Sequence, residues 1–203
     1  MLDVMERKIK QMHAALGAMS SADVLAVVPE VRATDSFKSI GIDFNKGSDP
    51  VDLANAASLL ISNIASLKDH LKAWCRKHGL PFKGDALINS HPSVALVHDL
   101  WNVDKHAELT SAPRSGHVPK IVGLSKALAL TTGTEANASV MYQMDPRTGE
   151  VTVQTSGSGA ASIRISGQIV DDEGTVLGDF HQTCVEAIDA WQQELSAVGV
   201  PTV

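Results

Sequence analysis

Apolar residues recur at steps of three and four along the first half of the chain, and mostly at steps of two beyond Lys120. Leu2, Met5, Ile9, Met12, Leu16 and Met19 form one seam, with Glu6, Arg7, Lys8 and Lys10 around it. That spacing predicts an amphipathic helix over 2–18. A second seam, Leu53, Ala57, Leu60, Ile64, Leu67, Leu71 and Trp74, predicts a single helix over 50–78. Asp49 suits its N-cap, Pro50 its first position and Asp52 its positive end. Gly79 and Pro81 close it, and Arg76, Lys77 and His78 suit its negative end. At ~1.5 Å per residue such a helix is about 43 Å long. A third helix is expected from Pro92 to about Leu109. Between the first two, Val24–Val28 reads as a short helix stopped by Pro29, and Phe37–Gly47 as a loop.

The period then shortens. Val140, Tyr142 and Met144, then Val151 and Val153, then Ile163, Ile165 and Ile169, alternate with polar or exposed-type residues. Val122–Leu130 reads as a further strand. Asp145–Gly149 and Asp171-Asp172-Glu173-Gly174 have hairpin-turn chemistry. A small antiparallel sheet of four to six strands is expected, with one polar face. A closing helix over 181–198 carries Cys184, Ile188, Trp191, Leu195 and Val198 on one side. Helices precede strands, so the class is α+β: an N-terminal helical bundle, a small antiparallel β-sheet and a C-terminal helix. The composition break at 111–119 divides the chain into a bundle (1–112) and a sheet with its closing helix (113–203), expected to form one compact unit.

Composition refines this picture. The 203 residues are 44% hydrophobic and 20% charged, as in an ordinary globular chain. No apolar run approaches the roughly 20 residues that cross a bilayer, and MLDVMERKIKQMH lacks the apolar stretch of a secretion signal. Cys75 and Cys184 are therefore expected as reduced thiols in a cytoplasmic protein. The net charge of −6 argues against nucleic-acid binding through the global charge and leaves a local basic patch as the route to it. Both apolar seams offer more surface than three helices and a small sheet readily cover, so a homodimer is expected.

Candidate chemistry concentrates in the third helix, at His98-Asp99-Leu100-Trp101-Asn102-Val103-Asp104-Lys105-His106. Asp99, Asn102 and His106 share one helical face, and His98, Asn102 and Lys105 an adjacent one. Leu100, Trp101 and Val103 imply partial burial, so some of these polar groups need partners. Asp69-His70 on the second helix is the nearest supply. Two readings follow: a hydrogen-bonded network that fixes helix register, or a site. In a site, His106, Asn102, Asp99 and His70 would be catalytic, with a histidine and a carboxylate doing the acid–base work, and His98, Lys105 and Asp69 would bind. The histidines lack metal-ligand spacing and the cysteines are isolated, so neither a metal nor a cofactor is expected. Ser156-Gly157-Ser158-Gly159 opens no helix and reads as a turn rather than a phosphate loop. His91 and His117 flank proline-containing loops and are expected to be solvated.

The string HDLWNVDKH resembles the polar helix of a group of uncharacterised bacterial helical-bundle proteins with an Asp-Leu-x-Asn-x-x-Lys-His core. Asp69-His70, Asp99, Asn102, Lys105 and His106 match that pattern. Such bundles are distantly similar to the HEPN superfamily, whose active members are ribonucleases or partners of nucleotidyltransferases. The HEPN signature, an arginine followed four to six residues on by histidine, has no counterpart before His106. Arg7 and His13 have the gap, but lie in the first helix with Lys8 after the arginine. Two functions are thus expected in order: a bacterial interaction or regulatory protein without chemistry of its own, or a HEPN-like ribonuclease or other hydrolase built on Asp99, Asn102 and His106.

Overall fold

A computed structural model describes residues 4–21, 30–34, 37–41, 43–45, 48–106, 111–145, 147–148 and 150–200. Leu2, the expected Val24–Val28 helix and residues 107–110 lie outside them. The first seam forms helix α1 (Val4–Ala18), with Met5, Ile9, Met12 and Ala15 buried. The second seam forms not one helix but two in succession, α2 (Pro50–Ala65) and α3 (Leu67–His78). Ser66, between them, keeps helical angles (φ −68°, ψ −14°). Main-chain bonds run through it, from Ser66 N to Ser62 O (3.0 Å) and from His70 N to Ser66 O (3.3 Å). The interruption coincides with side chains that reach helix carbonyls. Ser66 Oγ donates to Asn63 O at 3.2 Å, and Asn63 Nδ2 donates to Leu59 O at 2.9 Å. Such back-bonding competes with the main-chain ladder for the same carbonyls. The buried stripe runs on through Leu67, Leu71 and Cys75, whereas Trp74 stays half exposed and stacks on His78 with ring centroids 4.4 Å apart. Gly79, at φ 67°, supplies the left-handed stop expected there.

A short helix that the periodicity does not mark, α4 (Gly84–Ser90), precedes α5 (Pro92–Lys105). Four strands follow in chain order: β4 (Lys120–Thr131), β5 (Ser139–Met144), β6 (Val151–Ser156) and β7 (Ala160–Val170). Then come β8 (Val176–Asp179) and α6 (Phe180–Ala197). Asp179 caps α6 by accepting from Gln182 N at 2.8 Å. Earlier in the chain, β1 (Ser20–Ser21), β2 (Glu30–Thr34) and β3 (Phe37–Gly41) are also extended. The α+β class thus holds, in a mixed helix and antiparallel-strand structure. The expected loop at Phe37–Gly47 is corrected over 37–41, which pairs with β2 in the register Glu30↔Gly41 to Thr34↔Phe37. The single expected sheet is three sets of strands. One has the order β1-β7-β4 with β8 on β7, and β2-β3 and β5-β6 are separate hairpins.

The chain divides into two compact units: Met1–Met19, Pro50–Leu124 and Ser166–Val203 in the first, Ser20–Asp49 and Ser125–Ile165 in the second. Neither follows the division at 112 drawn from composition. In the first unit α1 packs on α2 and α3, α2 on α5 and α6, and α5 on α4 and α6. Its core includes Ile9, Met12, Leu60, Ile64, Leu67, Leu71, Ile88, Phe180, Trp191 and Leu195. Among the described residues of the two seams, all but Leu16 and Trp74 are buried within one chain. In the second unit β5 pairs with β6 from Ser139↔Ser156 to Met144↔Val151. Ser156–Gly159 forms a turn, with Gly157 at φ 57° and Gly159 N bonded to Ser156 O at 3.0 Å. No helix among the described residues is long and apolar enough to cross a membrane.

Candidate functional site

Helix α5 begins at Pro92, whose missing N–H costs nothing in a first turn, and its first half is buried nearly all round: Ser93 to Val97, Asp99 and Leu100. Two helices packed against it, α2 and α6, account for this. Its second half emerges toward solvent, which is where the sequence turns polar. Asp99 faces inward and is 1% exposed. A carboxylate in that position needs strong partners. It finds them in the chain after α5: Arg114 N donates to Oδ1 at 3.1 Å and Ser115 N to Oδ2 at 2.7 Å. The segment is shaped for this by a turn in which Gly116, at φ 80°, bonds through its N–H to Pro113 O at 3.2 Å. Burial pushes the Asp99 carboxyl up. His98 and the Ser115 and Arg114 amides more than offset it, and the group lies below the usual aspartate range.

The same segment is tied to α4 by the Arg114 side chain. Nη1 donates to Asn89 Oδ1 at 2.5 Å, and Nη2 lies 3.6 Å from Asp85 Oδ1. Asp85 also meets Lys68 Nζ at 2.8 Å. The Lys68 contact and the Arg114 charge hold Asp85 below its ordinary range, against a burial effect of opposite sign. One carboxylate and one guanidinium thus fasten residues 113–115 to two helices.

Around this lock the expected residues separate. His98 Nδ1 lies 3.0 Å from Asn102 Nδ2 and 3.7 Å from Asp99 Oδ1. His98 also meets the Trp101 ring edge-on at 6.2 Å. His98, Asp99, Asn102 and His106 line a concavity of about 240 Å³ together with residues 111–114. His106 is the exposed C-cap residue, its N–H bonded to Asn102 O at 3.0 Å. Lys105 leaves the cluster and sits 4.7 Å above the Trp101 ring. Asp69 and His70 are not the partners expected for Asn102. His70 is lowered from its ordinary range by burial and then by the Lys8 charge, with Arg7 adding to it and Asp69 opposing. Asp69 lines a different surface concavity, with Lys72 and Arg76.

Sequence reasoning missed the residues that complete the lock, Arg114 and Ser115. Their signal was the turn chemistry of Pro113-Arg114-Ser115-Gly116, read only as a loop. A second concavity of about 330 Å³ lies on the other side of Arg114, lined by His91, Pro92, Leu96, His117 and Leu177 among others. His91 is half-buried rather than solvated, its Nδ1 enclosed with no hydrogen-bond partner. His117 is largely exposed, with Nδ1 3.6 Å from Asp171 Oδ2. Cys75 and Cys184 are free and buried, and burial pushes both thiols up, so neither is primed as a nucleophile. Among the described residues no three His, Cys, Asp or Glu side chains converge as a metal site. No protein-family model, curated protein or solved structure matches this chain.

Proposed function

We propose that the protein is an interaction or regulatory protein without chemistry of its own, and that its polar helix is a structural lock. One observation carries this reading: both oxygens of the deeply buried Asp99 are occupied by the main-chain amides of Arg114 and Ser115. An acid–base carboxylate needs a face open to the reacting group, whereas Asp99 is 1% exposed with a main-chain amide on each oxygen. Under this reading the protein resides in the cytoplasm, where its two free thiols stay reduced. The test is Asp99→Asn. It should lower the melting temperature and raise protease cleavage within 111–117. Wild-type protein should leave a labelled RNA intact over hours. RNA turnover abolished by Asp99→Asn at unchanged melting temperature would overturn the reading.

A second reading, a HEPN-like ribonuclease or another hydrolase, draws on the open concavity that brings His98, Asn102 and His106 together. There His98, its Nδ1 accepting from Asn102 Nδ2, would present Nε2–H as the donor, and His106 would act as the base from the rim. That reading predicts an activity lost in both His98→Gln and His106→Ala.

A further inference from the structure

The charge of this chain is segregated. Residues 4–19 and 67–83 carry eight Lys and Arg against two Asp and Glu. The remainder carries nine against twenty-one, so +6 sits on α1, α3 and the turn after α3, against −12 elsewhere. The two helices pack on each other, and the lowering of His70 by both Lys8 and Arg7 brings the α1 cations beside α3. Leu67, Leu71 and Cys75 face the core, which leaves Lys72, Arg76 and Lys77 on the outer face, all exposed. Lys68 is paired with Asp85, and Lys10 with Glu6 at 3.0 Å. Among the described residues no carboxylate lies within ion-pair distance of Lys72, Arg76, Lys77 or Lys83.

Aromatic rings are interleaved with these cations. Phe82 lies under Lys72, with Nζ 5.9 Å from the ring centroid. Together with Lys72, Arg76 and Leu80 it lines a concavity of about 410 Å³, roomy enough for a nucleobase. On the other flank of α3, Trp74 stacks on His78. Lys72 and Arg76 stand one turn apart, about 6 Å along the axis, within reach of successive phosphates.

We infer that this face of α1 and α3 binds a single strand of nucleic acid, with phosphates on Lys72, Arg76 and Lys77 and a base against Phe82. Cations tracking a backbone beside rings that accept any base are the features of sequence-tolerant single-strand binding. An acidic protein surface would complement the charge but leave the rings without flat partners. The −12 remainder repels a polyanion and confines it to this face. The inference extends the interaction reading by naming its partner, and rests on that reading only for the strand remaining uncut.

The experiment is fluorescence anisotropy with a labelled RNA of about 20 nucleotides at several salt concentrations, followed by a denaturing gel of the same samples. Binding should weaken as salt rises. Lys72→Glu/Arg76→Glu should lower affinity at least about tenfold and reduce the salt slope by about 1.4, at ~0.7 per lost phosphate contact. Phe82→Leu should weaken binding about fivefold or more with the slope unchanged. Lys120→Glu/Arg147→Glu, an equal charge change at exposed sites elsewhere, should have less than a threefold effect, and circular dichroism checks that each variant is folded. The inference is overturned by no binding at about 50 mM salt, by equal loss in the control variant, by a duplex binding as tightly as the strand, or by poly-glutamate competing as well as RNA. That last result would assign the face to an acidic protein. RNA bound but cut would leave this inference standing and overturn the interaction reading. RNA neither bound nor cut would do the reverse.

Discussion

Asp99 and Asp171 are both buried carboxylates, 1% and 6% exposed, and both accept main-chain N–H groups. They differ in how far along the chain those groups lie. Asp171 serves its own turn: Oδ1 accepts from Glu173 N at 3.1 Å and Thr175 N at 2.7 Å. Its main chain closes the same turn, with Asp171 N bonded to Thr175 O at 3.0 Å and Gly174 N to Asp171 O at 3.1 Å. Asp99 reaches 15 and 16 residues ahead, to Arg114 and Ser115. The local carboxylate shapes a hairpin that other bonds also hold, since β7 and β8 pair on either side of it. The distant one joins a helix to a segment that is otherwise tied to the helices through the Arg114 side chain. The same chemistry therefore has different weight, and the difference can be measured.

The largest effect is expected at Asp99. Asp99→Ala leaves two part-buried amides without their acceptors, at about 1–3 kcal/mol each, and removes the charge that assists both bonds. A loss of roughly 3–5 kcal/mol follows. At this chain length it lowers the melting temperature by roughly 2–4 °C per kcal/mol, and calorimetry reads it directly. A loss below about 1 kcal/mol would put Asp99 on the same footing as an ordinary surface residue and dissolve the comparison. Acid sharpens it. Because the Asp99 carboxyl is held below its unfolded range, its contribution is complete above the unfolded value, near pH ~3.9. It disappears as pH falls through the lower folded value. Urea midpoints measured from pH 5 to 2.5 should fall more steeply for the wild type than for Asp99→Asn. Parallel curves would show that the carboxylate charge carries no stability.

Asp171→Ala should cost less, about 1–3 kcal/mol, because Gly174 at φ 88° and the β7–β8 ladder keep the turn in place. His117, 3.6 Å from Asp171 and largely exposed, adds little through a solvent-screened contact. A loss equal to that of Asp99→Ala would erase the distinction between local and distant clamps. The smallest effect is expected at Asn102. Its amide meets His98 at 3.0 Å in a half-buried position, so Asn102→Ala should lower stability by about 1 kcal/mol. Unchanged stability together with a lost activity would move His98 and Asn102 from the lock to a reaction centre.

Hydrophobic spacing and local turn chemistry, both readable in the sequence, determined much of this protein. The seam from Met5 to Met12 marks α1, the stripe Cys184, Ile188, Trp191 and Leu195 marks α6, and Asp171–Gly174 marks a turn. Each depends on residues within a few positions of one another, where helical and strand periods and backbone preferences act. The concentration of polar residues at 98–106 was legible for the same reason, and so was the basic character of α3. Tertiary structure decided where those polar groups find partners. Asp69 and His70 looked as suitable for Asn102 as any residues in the chain, yet packing on α1 set His70 beside Lys8, while the turn at Pro113–Gly116 carried the amides of Arg114 and Ser115 to Asp99. Ser66 gave no proline or glycine warning of the break between α2 and α3, and 37–41 became a strand only by pairing with 30–34. A buried carboxylate must be satisfied, and the sequence shows that demand. Which distant amide meets it depends on the path of the intervening chain, which no local period encodes.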